Sequence, residues 1–248
     1  MSAPWTTRRI GTPETKRAIV VTLTAFALLT VISPHLWGRG IAEGTRALAA
    51  AKNNTLIESA DGRLSNGQGP SIFVGRTGQP AGSIRRGLIA FDVGSIPAGS
   101  RIVSAKLTMN LRLSAGTGRP ARVTVHRVLA DWGEGASKSE GGRGATAESG
   151  DATWLYNFYP DQRWAHAGGD YIADESAAQT VNDVGTYEWT GATLAADIQG
   201  WLGSPKKNFG WILLGDESQA ATAKVFDSRH SSVDGAHPPQ LTVTFTTP

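Results

Sequence analysis

Residues 103–113 alternate strictly between apolar and polar side chains. The apolar set is Val103, Ala105, Leu107, Met109, Leu111 and Leu113. Alternation with a period of two over this length predicts a strand that has one face buried and the other in water. Strands of this kind are typical of antiparallel sheets that are open to solvent on one side. We therefore expect the chain to fold mainly as antiparallel β-structure.

Shorter segments with the composition of strands are separated by turns that contain Gly or Pro. They lie at residues 55–59, 72–75, 87–93, 122–129, 186–189, 210–214, 224–227 and 241–245. Many short strands joined by such turns predict a sandwich or a jelly roll. One helix is expected, because Leu194, Ile198, Trp201 and Leu202 form a single apolar stripe at helical spacing. The predicted fold class is an all-β, jelly-roll-like antiparallel β-sandwich with one short helix.

The N-terminal segment, residues 1–50, has the pattern of an export signal. Basic residues between positions 8 and 17 precede residues 18–33, which carry no charge. This uncharged stretch is shorter than the roughly 20 residues of a transmembrane helix, and Ala47, Leu48 and Ala49 fit a small-x-small cleavage site. We expect a cleaved signal peptide, with an uncleaved membrane anchor through residues 18–33 as the alternative. Residues 51–248 would then form one domain.

The charge of the chain is distributed unevenly. Residues 1–52 carry seven Lys or Arg and two Glu, whereas the remainder carries 17 basic and 19 acidic residues. The high pI of about 9.3 therefore reflects the N-terminal segment, which argues against nucleic acid as a partner. Residues 53–130 are basic and residues 131–248 are acidic. A basic patch for an acidic ligand, acidic loops around a cation and solvated strand faces all agree with this asymmetry.

Two adjacent arginines, Arg85 and Arg86, stand at the start of a predicted strand in the basic part of the chain. They could contact a ligand directly. The favoured alternative is that they pair within the fold, with carboxylates such as Asp92 or Asp227.

Residues 131–170 form a long Gly-rich segment that lacks the periodicity of a strand or a helix. The segment carries Trp132, Trp154 and Trp164, and disordered segments are depleted in large aromatic residues. Long ordered connections in compact domains are usually functional. We therefore expect an ordered loop that carries a binding site.

The residues of this loop that could hold a sugar lie mainly in its second half. Aromatic rings stack on the apolar faces of pyranose rings, while neighbouring polar groups bond the hydroxyls. The candidate carbohydrate-binding residues are Tyr159, Arg163, Trp164 and His166, with Arg143 as a further basic contact. The alternative for each tryptophan is burial in the core.

Four carboxylates of the same segment are candidate calcium ligands. Asp131, Glu134, Asp151 and Asp170 lie near glycines, and calcium takes about six to eight oxygen ligands from flexible loops. Their spacing matches no known calcium motif such as the EF-hand loop. A structural calcium ion is therefore an open expectation, and no other cofactor is predicted.

Catalysis is less favoured than binding. The sequence has no cysteine, no G-x-S-x-G, no His-Glu-x-x-His and no phosphate loop. A polysaccharide lyase needs a general base, such as His or Tyr, near an arginine that neutralises the carboxylate of the substrate. The chain offers His126, His166, His230 and Arg229, although no spacing joins them. His126 is expected on the solvent-facing side of its strand. A lyase or hydrolase is therefore the less favoured alternative.

The order of several motifs resembles that of DNRLRE domains, which are grouped with family 96 carbohydrate-binding modules. Residues 85–111, RRGLIAFDVGSIPAGSRIVSAKLTMNL, are similar to the start of such domains, where a strand ending in Phe-Asp precedes a turn with Ile-Pro. Residues 148–164, with Asp-Ala-Thr-Trp at 151–154, resemble the family's glutamate–threonine–tryptophan segment that leads to a second Trp, and residues 199–202 and 208–211 resemble its later half. The resemblance implies a jelly-roll β-sandwich, export from a bacterial or archaeal cell and polysaccharide binding. It supplies no catalytic residues.

These observations lead to one favoured hypothesis and, besides a lyase or hydrolase, one further alternative. The favoured hypothesis is an exported, non-catalytic carbohydrate-binding module, secreted or at the cell surface. Its partner would be a polysaccharide, and the resemblance includes acidic polymers such as alginate among the family's ligands. The alternative is a structural or adhesive cell-surface protein that binds protein partners.

Overall fold

The computed structural model describes residues 42–115 and 119–248, and within them it has an all-β fold with one α-helix. The strands are β1 (Glu43–Ile57), β2 (Leu64–Ser65), β3 (Ser71–Arg76), β4 (Ile84–Phe91), β5 (Arg101–Ser114), β6 (Ala121–Arg127), β7 (Ala145–Thr146), β8 (Tyr156–Phe158), β9 (Gln162–Arg163), β10 (Ala177–Val181), β11 (Gly185–Thr190), β12 (Trp211–Leu214), β13 (Lys224–Asp227) and β14 (Gln240–Thr246). The helix is α1 (Ala192–Gly203), and a short 3-10 helix follows it at Pro205–Lys207. The prediction of an all-β, jelly-roll-like antiparallel sandwich is confirmed.

The main strands form two antiparallel sheets that share β1 and β3. The first sheet contains β11, β5, β14, β13, the first half of β1 and most of β3. The second sheet contains the second half of β1 and the end of β3, both paired with β4, and then β12, β6 and β10. The pairing of β1 changes from β14 to β4 at an irregularity between Ala50 and Lys52. This change of partner joins the two sheets at one side.

The main core lies between the two sheets. The inward-facing side chains of β5, from Ala105 to Leu111, are buried as their alternation predicts. Val103 and Leu113, at the ends of the alternating run, are instead exposed, and the register of β5 shifts beside each of them, against β14 at Val103 and against β13 at Leu113. The helix α1 adds its apolar stripe to the same core.

The start of the domain differs from the prediction. The first sheet begins at Glu43, so the predicted boundary at residues 50 and 51 is wrong. The expected cleavage site, Ala47 to Ala49, lies inside β1 and pairs with residues 240–242 of β14. The segment was not recognised as a strand because it is rich in alanine, which is depleted in strands. The export segment and the anchor at residues 18–33 lie outside the described residues, apart from positions 42–50.

None of the helices within residues 42–115 and 119–248 has the length and apolar character that crossing a membrane requires.

Candidate functional site

Residues 131–170 cover the outer face of the second sheet and form a second core with it. From the strands come Leu56, Leu88, Ala90 and Ile212, and from the covering segment come Trp132, Ala152 and Trp164. All of these residues are buried. This cover explains why residues 87–91 of β4 are buried on both faces of the sheet. The segment is thus a packed layer of the domain.

The tryptophans hold this layer in place. Trp132 is 1% exposed, and its indole N–H donates to the carbonyl oxygen of Phe209 at 2.8 Å. Trp164 is 5% exposed, and its indole N–H donates to the carbonyl oxygen of Thr153 at 2.9 Å. The prediction that Trp164 contacts a sugar is therefore wrong. The apolar outer face of the sheet needs a cover, and Trp164 supplies part of it.

A buried carboxylate organises the first half of the layer. Asp151 is fully buried and accepts hydrogen bonds from the backbone N–H groups of Glu148 at 2.7 Å and Ser137 at 3.3 Å. Gly135 lies beside it with a φ of +70°, and a Cβ there would lie 1.5 Å from the Asp151 Oδ1 atom. A glycine is therefore required at position 135 for both its conformation and its space.

Burial raises the pKa of Asp151 above its ordinary value, although the backbone hydrogen bonds act in the opposite direction. The folded protein therefore holds this proton more strongly than the unfolded chain, in which the pKa is about 3.9. We expect the contribution of Asp151 to stability to fall as the pH rises from about 3.9 through the folded-state pKa. Denaturant unfolding at several pH values across this range should show that the difference in free energy of unfolding between the wild type and Asp151→Asn shrinks as the pH rises. A growing advantage would contradict the direction of the shift.

An open groove of about 700 Å³ lies at the edge of this layer. Its walls include Arg86 from β4, Leu129 after β6, His166 and Asp170 from the end of the covering segment, and Tyr171 directly after it. Alanines and a glycine complete the lining, so that little side-chain bulk fills the space. We call this feature the Tyr171 groove.

Arg86 is held in the wall of the groove by several contacts. Its Nε and Nη2 atoms donate to the two carboxylate oxygens of Glu217 at 2.8 and 2.9 Å, and Nη1 donates to the carbonyl oxygen of Gly168 at 2.9 Å. Its guanidinium also lies 4.9 Å from the ring centroid of Trp154 and 5.7 Å from that of Tyr171. Burial disfavours its charge, but the hydrogen bonds and charge of Glu217 outweigh burial and raise the pKa of Arg86. Arg86 therefore pairs within the fold, with Glu217.

His166 and Asp170 form the polar rim of the groove. The Asp170 carboxylate accepts hydrogen bonds from the backbone N–H groups of Ala165 at 2.8 Å and His166 at 2.9 Å. The His166 Nδ1 atom lies 3.0 Å from the same carboxylate, while 85% of the His166 side chain is exposed. Asp170 thus fixes the imidazole in a position where its second nitrogen can contact a ligand.

The other predicted sugar contacts lie on the hairpin of β8 and β9. Arg163 stacks 4.3 Å above the ring of Tyr156, and its Nη2 atom donates to the Tyr156 hydroxyl at 2.6 Å. Tyr159 packs its ring edge-on against Tyr156 at 5.2 Å. Neither Tyr159 nor Arg163 lines the Tyr171 groove, and neither does the exposed Arg143. Of the predicted contacts, the structure therefore places His166 alone in the groove.

The four calcium candidates contact different sets of donors. Asp131 pairs with Lys52, Glu134 pairs with Arg229 and His230, and Asp151 and Asp170 bond the backbone groups given above. The structure does not bring the four together as one ligand set. Within the described residues, no group of three or more His, Asp or Glu side chains could hold a metal ion. Calcium binding stays a prediction.

The histidines considered for a lyase are also separated. His166 contacts Asp170 in the groove, whereas His230 contacts Glu134 at 3.1 Å together with Arg229. His126 is 6% exposed, so its predicted place on a solvent-facing strand surface is wrong. Residues 171 and 172 cross over it, and its Nδ1 atom lies 3.0 Å from the carbonyl oxygen of Ile172.

The fold and the groove together define a structural class of protein. It is a β-sandwich with a surface groove at the edge of the layer that covers one sheet. A scan of the chain against protein-family models found no match, and a search of curated proteins found none either. The resemblance to DNRLRE domains therefore depends on the motifs of the sequence.

Proposed function

We propose that this protein is a non-catalytic carbohydrate-binding protein that acts outside the cell and binds polysaccharide in the Tyr171 groove. The observation that carries the proposal is the groove itself, an open depression whose lining includes both the aromatic Tyr171 and the exposed His166. An aromatic wall with a few fixed polar groups is the usual way for a protein to bind a sugar, because the ring packs against apolar C–H groups.

The size and rigidity of the groove support the proposal. Its volume of about 700 Å³ lies within the range of roughly 300–1,000 Å³ that is typical of ligand sites. The second core and the pairing of Arg86 with Glu217 hold its walls before any ligand arrives. A preformed site loses little conformational entropy on binding, which favours affinity.

The hydrogen bonds that Asp170 accepts, as the carboxylate of the groove lining, favour ligand binding over glycoside hydrolysis. Glycoside hydrolysis normally uses two carboxylates on opposite sides of the scissile bond. Asp170 is the one carboxylate among the groove-lining residues, and it already accepts hydrogen bonds from the backbone. The resemblance to DNRLRE domains favours the same conclusion, since it implies polysaccharide binding without catalytic residues.

The proposal predicts that His166→Ala weakens polysaccharide binding without loss of stability. Removing one hydrogen bond to the ligand should weaken binding roughly threefold to tenfold. Stability should change by less than about 0.5 kcal/mol, because the ring is exposed. Affinity electrophoresis in gels that contain alginate, pectin or neutral glucans measures the binding.

The matched control is His237→Ala, which removes an exposed histidine from a loop outside the groove. It should migrate like the wild type in every gel. Wild-type protein that is not retarded by any of the polysaccharides would contradict the proposal and would favour the structural or adhesive alternative.

A further inference from the structure

Three dipeptides of the chain join an asparagine or an aspartate to a glycine. They are Asp61-Gly62, Asn66-Gly67 and Asp234-Gly235. In such a dipeptide the glycine nitrogen can attack the side-chain carbonyl carbon of the preceding residue, because glycine has no side chain to obstruct the approach. By chemistry alone Asn66 is the most reactive, since its amide is uncharged, whereas an aspartate must first take up a proton. The fold holds the three dipeptides in different ways.

The Asn66-Gly67 dipeptide is buried and fixed by hydrogen bonds. The Asn66 Nδ2 atom donates to the carbonyl oxygen of Ser71 at 3.1 Å, and its Oδ1 atom accepts from the backbone N–H of Ser139 at 2.8 Å. The Gly67 N–H, which would attack, donates instead to the hydroxyl of Ser137 at 3.4 Å. Both reacting groups are therefore bonded to other partners, two of which belong to the covering segment.

The Asp61-Gly62 dipeptide is also held by its surroundings. The Asp61 carboxylate accepts a hydrogen bond from the backbone N–H of Arg63 at 3.2 Å, and the Gly62 N–H donates to the carbonyl oxygen of Ser59 at 3.4 Å. Gly62 is buried, and a Cβ atom there would lie 2.7 Å from the Cβ atom of Leu155. Rotation of this backbone into the geometry of attack would break these contacts.

The Asp234-Gly235 dipeptide lies at the centre of an exposed turn. The Ala236 N–H closes the turn on the carbonyl oxygen of Val233 at 3.0 Å. Asp234 and Gly235 are both exposed, and no atom lies within 4 Å of the place that a Cβ atom would take on Gly235. Among the residues that the structure describes, none bonds the Asp234 carboxylate or the Gly235 N–H. Both reacting groups are thus free to meet.

We propose that Asp234 is the site at which this protein isomerises spontaneously to isoaspartate, through a succinimide formed with Gly235. The Gly235 nitrogen attacks the Cγ atom of the protonated Asp234 side chain and forms a C–N bond. One water molecule leaves, made of the carboxyl hydroxyl and the amide proton. A second water molecule then opens the ring at either carbonyl group, which yields aspartate or isoaspartate. Nothing is oxidised or reduced, and the inference is independent of the proposed function.

The modification falls between two contacts that hold the buried carboxylate of Asp227. This carboxylate accepts hydrogen bonds from the Ser231 hydroxyl at 3.1 Å and from the His237 N–H at 3.0 Å. Isoaspartate directs the main chain through the former side chain and adds one backbone atom between Ser231 and His237. The site therefore lies where a change in backbone length alters the support of a fully buried charge.

The test is incubation of the full folded chain at neutral pH and physiological temperature over several weeks. Peptide mapping with electron-transfer dissociation locates isoaspartate, and an isoaspartyl methyltransferase with labelled S-adenosylmethionine measures its amount. Isoaspartate should form at Asp234 at least roughly tenfold faster than at Asp61, because the Asp61 dipeptide must first give up its hydrogen bonds. Asn66 should stay intact in the folded chain. In guanidinium chloride, Asn66 should become the fastest of the three.

The matched variant is Asp234→Asn, which places the same chemistry at position 234 and at Asn66 within one chain. Deamidation at position 234 should exceed that at Asn66 by at least roughly tenfold in the folded protein. Asp234→Glu is the second variant, because its longer side chain would have to close a larger ring. It should lose the isoaspartate signal at this position and keep the fold, since the residue is exposed.

The results that would overturn the inference are equally specific. One is isoaspartate at Asp61 as fast as at Asp234, and another is equal deamidation of Asn66 and position 234 in the folded Asp234→Asn variant. Formation of isoaspartate at Asp234 in the denatured chain alone would also overturn it, because the turn would then protect the dipeptide.

Discussion

A fragment that begins at Ala50 should fail to fold, whereas a fragment that begins at Ala42 should fold stably. The difference lies in residues 43–49 of β1, which pair with β14 along their whole length. Cleavage after Ala49, as the sequence pattern suggested, would remove this half-strand. The two fragments differ by eight residues, so that their comparison isolates its contribution.

The physical reason is the loss of both packing and pairing at the edge of the first sheet. Leu48 belongs to the main core, and burial of a leucine side chain contributes about 1.5–3 kcal/mol. Each lost backbone hydrogen bond removes about 0.5–1.5 kcal/mol more. Gly44 lies against the ring of Phe245, so that removal of the strand also uncovers part of that ring. These losses together are comparable to the whole stability of a typical domain, about 5–15 kcal/mol.

Circular dichroism and denaturant unfolding of the two fragments measure the effect. We expect a cooperative transition for the longer fragment, and an unfolded or aggregated chain for the shorter one, because β14 would become an open edge. Equal stability of the two fragments would contradict the assignment of residues 43–49 to the sheet.

Trp164→Ala should destabilise the fold by about 3–5 kcal/mol, the usual range for truncation of a buried large aromatic residue. The indole of Trp164 fills the second core, and its N–H is bonded to the carbonyl oxygen of Thr153. The variant therefore leaves a cavity and removes the partner of a buried carbonyl group. Stability should fall even in the absence of any polysaccharide.

The matched control is Tyr159→Ala, an aromatic residue of the same segment that is half-buried and packs on Tyr156 at the surface. It should lose less than about 1.5 kcal/mol. Denaturant midpoints of the two variants measure the contrast. Comparable, small losses in both would mean that Trp164 does not belong to a core, and would restore it as a candidate for contact with a sugar.

The sequence predicted the fold well because its strongest patterns are local. The alternation along residues 103–113 and the apolar stripe of α1 need no knowledge of the rest of the chain. The strand at residues 43–49 was missed because alanine gives no such pattern, and pairing with β14 decides its structure instead. Burial of Trp164 was left as an alternative to contact with a sugar, and His126 was expected to face solvent, because the sequence does not show that residues 131–172 fold back over the second sheet.

The groove was only partly predictable for a related reason. The loop that carries His166 was recognised by its composition, but Tyr171 lies just beyond that loop, and Leu129 was predicted only as the end of a strand. Arg86 was expected to pair within the fold, and it does so, yet its partner is Glu217 and not Asp92 or Asp227. A partner 131 positions away in the sequence is brought near by the sheet alone.

The most direct test of the central claim is amide hydrogen exchange of the full chain with and without a saturating polysaccharide. The claim is that a packed layer on the second sheet presents a preformed groove to an external sugar polymer. We expect added protection at residues 127–131 and 165–173, with the amides of β8 and β9 unchanged. Binding that protects residues 156–163 and leaves the groove unchanged would contradict the account.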